Sequence, residues 1–165
     1  MMANFEAYKP ILKRLEGGWS DDPAYLGGAT MCGVTLKTFR SHYGQEITKE
    51  DLRNITDRQW THIMKGCWDR CRGDEIASQS VAEMLADWYV NAGISAIRCT
   101  QAALGLEEDG IVGRNTLAAL NRPDSRCVWD AIRGARTDYY LKLGRRMPRF
   151  LRGWMNRVNQ FEYKP

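Results

Sequence analysis

"RLEGGWSDDPAYLGGATMCGVT", residues 14–35, sets the character of the chain. A helical stripe arrives from its left: Phe5, Tyr8, Ile11, Leu12 and Leu15 recur at the spacing of one helix face. The stripe stops at Glu16, and Gly17 is the residue type that ends helices in the left-handed conformation. Pro10 lacks an N–H and crowds the preceding turn, so the helix is expected to begin there. Beyond Glu16 come five glycines (Gly17, Gly18, Gly27, Gly28, Gly33), the adjacent pair Asp21 and Asp22, and hydroxyls at Ser20, Thr30 and Thr35.

Glu16 carries the wrong charge for its position. At the last turn of a helix a carboxylate faces the negative end of the macrodipole, which disfavours it by about 0.3–1 kcal/mol. Packing by Leu15 or Trp19 would desolvate it as well, and both effects predict a raised pKa. An acid kept protonated near neutral pH is what cleavage of a glycosidic bond needs, because the leaving oxygen takes a proton. Glycines around such an acid let the backbone approach a bulky sugar chain closely. The competing reading is a surface glutamate before a Gly-Gly turn, and physical argument alone leaves both open.

The rest of the composition narrows the setting. The chain has 165 residues, enough for one domain with a core or a core plus a small subdomain. Hydrophobic residues at 44% and charged residues at 27% exclude a disordered chain. No apolar run approaches the roughly 20 residues of a membrane span, so stable membrane insertion is not expected. The start "MMANFEAYKP" has no basic segment followed by an apolar one, so no secretory signal is expected either. The net charge of +4 is unevenly spread, with Arg133, Arg136, Lys142, Arg145, Arg146, Arg149, Arg152 and Arg157 in the C-terminal region. Such a face suits an anionic polymer or is simply a solvated helix face. Nucleic acid rests on these arginines alone and is not expected as a partner. Five cysteines (Cys32, Cys67, Cys71, Cys99, Cys127) are an odd count that argues for free thiols. Cys67 and Cys71 lie one turn apart after His62 but lack a fourth ligand or a matching pair, so neither metal nor cofactor is expected.

Helical signals dominate the chain from Thr35 onward. Thr35 is placed to cap "LKTFRSHY", which Gly44 ends, and Thr48 with Asp51 and Thr56 with Gln59 resemble capping boxes, of which only the second has the preferred residue at its fourth position. "SVAEMLADWYVNAG" and "SAIRCTQAALG" read as helices stopped by Gly93 and Gly105. A short helix is expected over 115–120, a long one from Asp124 and Ser125 to about Leu143, and a last one after Pro148. A minor β-hairpin is expected near residues 24–35. A soft boundary near Gly93 gives two regions, 1–92 and 93–165, expected to pack as one compact body.

"EGGWSDDPAYLGGATMCGVT" resembles the signature of the glycosyl hydrolase 108 family, lysozyme-like N-acetylmuramidases of bacteria and their phages. E-G-G, D-P, G-G-x-T and G-[IV]-T stand here in order. "VNAGISAIRCTQAALGLEEDGIVGRNTLAAL" is similar to the predicted peptidoglycan-binding region that accompanies the family, with its N-x-G, Q-x-A-L-G and D-G-I-V-G-x-x-T. Several motifs in the right order are more specific than one short pattern.

The resemblance implies a mainly α, lysozyme-like helical fold and a peptidoglycan hydrolase. Glu16 falls on the family's general acid, acting on the bond between N-acetylmuramic acid and N-acetylglucosamine. Thr30 and Thr35 match family threonines that orient water or a sugar hydroxyl; hydrogen bonding within the hairpin, and helix capping for Thr35, are the alternatives. Asp87 and Asn91 match D-x-x-x-N-x-G, with Asn91 either contacting an acetamido group or capping its helix. Tyr25 stands where many relatives have a second acid, so Asp21, Asp22 and Tyr25 are all candidates for the second catalytic group that hydrolysis needs. The implied partner is the glycan strand of peptidoglycan. The implied setting is that of an endolysin or prophage-type lysozyme, made in the bacterial cytoplasm, released through a separate holin-like pore and acting at the cell wall or periplasm. Two other readings stand beside it: a wall-binding or secretion-associated protein that has lost turnover, and a cysteine peptidase using Cys32 with His42 or His62.

Overall fold

The computed structural model describes residues 2–22 and 28–165. It is mainly α with a small antiparallel sheet, as expected. The described chain forms two compact units, Glu6–Gly66 on the one hand and Met1–Phe5 with Cys67–Pro165 on the other.

The first unit begins in α1 (Phe5–Glu16). The helix does not start at Pro10 but runs through it. Pro10 lies on the exposed face, where water can take the carbonyl that loses its donor, while Tyr8 and Leu12 hold the other face in the core. Among the described residues three two-residue strands follow, β1 (Trp19–Ser20), β2 (Thr30–Met31) and β3 (Val34–Thr35), paired antiparallel in that order. The hairpin β2–β3 falls within the expected stretch 24–35, of which 24–27 lie outside the described residues; β1 has no alternation long enough to be read from sequence. The turn between β2 and β3 is the pair Cys32-Gly33, both at positive φ (47° and 78°), the geometry that suits a two-residue hairpin.

Helices α2 (Leu36–Tyr43), α3 (Lys49–Arg53) and α4 (Asp57–Arg70) complete this unit, the last leaving it after Gly66. Both capping boxes close. Thr48 N–H donates to Asp51 Oδ2 at 2.8 Å, and Thr56 N–H donates to Gln59 Oε1 at 2.9 Å, with the threonine hydroxyls accepting in return. Tyr8, Leu12, Val34, Phe39, Leu52, Trp60, Ile63 and Met64 are among its buried residues.

The second unit is helical: a 3-10 turn (Gly73–Glu75), then α5 (Gln79–Ala92), α6 (Ile94–Ala103), α7 (Arg114–Leu120), α8 (Ser125–Gly144) and α9 (Pro148–Val158). α8 packs against α5, α6, α7 and α9 around Trp88, Met84, Leu85, Ile97 and Ile132. Asp124 caps α8 by accepting from Cys127 N–H at 2.9 Å. Both chain ends are tied into this unit. Ala3 N–H donates to the Ile76 carbonyl at 2.8 Å, Ser80 Oγ exchanges hydrogen bonds with the backbone N–H and carbonyl of Lys164, and the Tyr163 and Ser125 hydroxyls meet at 2.7 Å. By contacts the division falls after Gly66, within α4, and α5 packs with α6 and α8.

Candidate active site

Glu16 is the last residue of α1 and half-buried, with Gly17 at φ 65° turning the chain away. Its carboxylate lies against the backbone of Gly33 in the hairpin turn. A Cβ on Gly33 would stand 3.0 Å from Glu16 Cγ and closer still to Cδ and Oε2, so a side chain there would push the Glu16 carboxyl aside. Glycine is thus favoured twice at this position, by its φ and by this contact.

The turn that receives Glu16 is fixed from behind. The Cys32 carbonyl accepts from Trp60 Nε1 at 2.8 Å, and Trp60 is buried on α4. Lys13, one turn before Glu16, lies over the Trp60 ring at 5.2 Å from its centroid and ion-pairs with Asp57 at the start of α4. The hydrogen bond from Lys13 is the main reason the exposed Asp57 carboxyl sits below its usual range. Burial, and then the Glu16 charge, push the Cys32 thiol above its ordinary value, with Lys13 opposing them. That direction is opposite to the one that activates a cysteine nucleophile.

Thr30 and Thr35 face each other across β2 and β3. The Thr35 hydroxyl is engaged at the start of α2, accepting from Thr38 N–H at 3.1 Å and donating to Thr38 Oγ1 at 2.9 Å. Asp21 follows β1 at the end opposite Glu16 and ion-pairs with Lys49 Nζ at 2.9 Å. Asp22 is half-buried beside it, and Tyr25 lies outside the described residues.

Asp87 and Asn91 belong to the second unit. Asp87 is fully buried on α5; Arg136 Nη2 donates to its Oδ2 at 2.6 Å, and Arg157 donates to both oxygens at 2.6 and 3.0 Å. Burial alone would raise this carboxyl, but the two guanidinium groups outweigh it and hold it below the usual range. The geometry therefore gives Asp87 to the helix packing rather than to an open surface. Arg136 is itself fully buried and Arg157 nearly so, which removes both from the basic face read in the sequence: a side chain's charge shows in a sequence, its direction does not. Asn91 Nδ2 donates to the Asp87 carbonyl one turn back at 2.8 Å.

The downstream motif residues meet in one network. Gln101, buried on α6, donates through Nε2 to Asp109 Oδ1, the Ile111 carbonyl and Thr116 Oγ1, and its Oε1 accepts from Gly110 N–H. One glutamine thus fastens the loop between α6 and α7. The sequence named these residues without showing that they bind one another.

Two family models match the chain: Glycosyl hydrolase 108 over residues 9–93 and Predicted Peptidoglycan domain over residues 95–159. Among solved structures the chain is similar to SagA of Brucella abortus, at 28% identity and a TM-score of 0.87, over 95% of this chain and 90% of that one. No curated protein matches it in sequence.

Proposed function

We propose that this chain, which belongs to the glycosyl hydrolase 108 family, is an N-acetylmuramidase with Glu16 as its general acid. Family membership makes it a glycoside hydrolase, and the second match directs it to peptidoglycan. The single observation that supports Glu16 is its seat: a helix-end carboxyl packed on Gly33 in a turn whose Cys32 carbonyl Trp60 holds in place.

In this reading Glu16 delivers its proton to the oxygen between N-acetylmuramic acid and N-acetylglucosamine as the bond breaks. Charge then builds at the anomeric carbon and calls for a carboxylate or an activated water. Asp22 is the first candidate for that second role and Asp21, held by Lys49, the next; Tyr25 stands as the third. Thr30 offers a hydroxyl beside the strand pair. The protein acts at the cell wall, in the manner of an endolysin that a separate pore releases.

The test compares wild type with Glu16→Gln on peptidoglycan zymograms and identifies the new ends. Clearing by wild type with reducing muramic acid ends, lost in the variant, supports the reading. Equal clearing by both removes Glu16 as the acid, and anhydro-muramic ends make the enzyme a transglycosylase. The second reading, a wall-binding protein without turnover, draws on Asp21 and the Thr35 hydroxyl being engaged within the protein itself. Wall binding without clearing by either protein would favour it.

A further inference from the structure

A cavity of about 530 Å³ opens at the end of the sheet away from the Cys32-Gly33 turn. That is within the range of ligand sites. Among the described residues three cations line it, Lys37 and Arg40 from α2 and Lys49 from α3, against one carboxylate, Asp21. Asp21 is matched to Lys49. Among the described residues no carboxylate pairs with Lys37 or Arg40. Arg40 Nε donates to the Ile47 carbonyl at 2.8 Å, which fixes the plane of its guanidinium fork. Ser41 and Gln45 add neutral hydrogen-bonding groups to the wall.

This chemistry does not suit the sugar chain. N-acetylated sugars are neutral, and the muramoyl carboxyl is consumed in its amide to the peptide. The negative charge of the polymer lies on the free carboxylates of that peptide. An immobilised guanidinium fork beside a mobile ammonium is the arrangement that takes a carboxylate with direction and a second one by charge. Position agrees: Glu16 and Asp21 flank β1, five residues apart, so at about 3.3 Å per residue they are at most about 17 Å from each other. A glycan lying at Glu16 brings its attached peptide within reach of the cavity.

We infer that this cavity binds the carboxylate-bearing stem peptide of peptidoglycan through Lys37 and Arg40, so that the enzyme selects peptide-substituted over bare glycan. The inference rests on the proposed hydrolase reading for its meaning, but its binding step is measurable without catalysis.

The probe is the tripeptide L-alanyl-γ-D-glutamyl-meso-diaminopimelate, titrated calorimetrically into the full chain. Wild type and Glu16→Gln should bind it equally. Lys37→Gln/Arg40→Gln should bind about tenfold or more weakly, as expected for losing charge-assisted hydrogen bonds, and wild-type binding should weaken with salt. The double variant should also lose the ratio of kcat/KM between peptide-bearing and amidase-stripped strands. Lys37→Gln alone, at an exposed position, keeps the test available if Arg40→Gln lowers the melting temperature. Tripeptide binding unchanged in the variants, or absent from wild type, overturns the inference. So does tighter binding of oligomeric glycerol phosphate, which would make the site one for a phosphate polymer. If wild type binds the tripeptide yet hydrolyses no peptidoglycan, the hydrolase reading fails and the binding assignment stands.

Discussion

Arg157 on α9 reaches both carboxylate oxygens of Asp87 on α5, seventy positions earlier in the chain. Arg136 of α8 takes the same carboxylate and lies 5.7 Å from the ring centroids of Tyr140 and Phe161. One anion therefore joins three helices. Removing it strands a buried guanidinium, so Asp87→Asn should cost about 3–5 kcal/mol, read from urea unfolding. A loss below about 1 kcal/mol would show that the helices hold without it.

The same site sets an acid limit. The Asp87 carboxyl lies below its unfolded value of about 3.9, so its contribution is present above that pH and drains away as pH falls through the folded value. Wild-type melting temperature should drop steeply below about pH 4, and the gap to Asp87→Asn should close there. A gap that stays constant from pH 7 to pH 3 contradicts the ion-pair account.

Glu16 and Gly33 give a paired prediction. Glu16→Gln keeps the shape and removes the acid, so turnover should fall by about 10²–10⁴ with little change in melting temperature. Gly33→Ala keeps the acid but displaces it, because a methyl takes its seat and a side chain is set on a positive φ, so stability should fall by about 1–3 kcal/mol and activity with it. A fully active Gly33→Ala would mean that the carboxyl works from elsewhere.

Trp60→Phe removes the donor to the Cys32 carbonyl while keeping an aromatic ring in the core. The expected loss is about 1 kcal/mol of stability, with a larger drop in kcat than in affinity for wall fragments. Equal effects on both would place Trp60 in general packing alone.

Gln101→Ala leaves the Gly110 N–H, the Ile111 carbonyl and Asp109 without their shared partner. The cost should be about 2–4 kcal/mol, with faster hydrogen exchange at Gly110 concentrated in the loop before α7. Unchanged exchange there would show that the loop is held by other bonds.

How far the sequence alone reveals these features differs by residue. The helix faces were legible because apolar periodicity reports a buried side: Val81, Met84, Leu85 and Trp88 are all in the core. Thr35, Thr48, Thr56 and Asp124 were legible as caps because capping is local. The start of α1 was not, since Pro10 is tolerated only because its face meets solvent, a tertiary fact. β1 was hidden because two residues carry no period. Arg136 and Arg157 were misplaced for the same kind of reason: their partner is far away in sequence. At the candidate site, the motif points to Glu16, while its seat on Gly33 and the anchoring of that turn by Trp60 are tertiary contacts that no local pattern carries.

The hold of Ser80 on Lys164, and of Ile76 on Ala3, has a consequence for how the helical unit loosens. Segments far apart in the sequence fasten to the same place: Ala3 to Ile76 just before α5, and Lys164 to Ser80 in its first turn. Loosening either should release the start of α5, read as faster hydrogen exchange there. A substitution near Lys164 would therefore act on the α5 end of the helical unit.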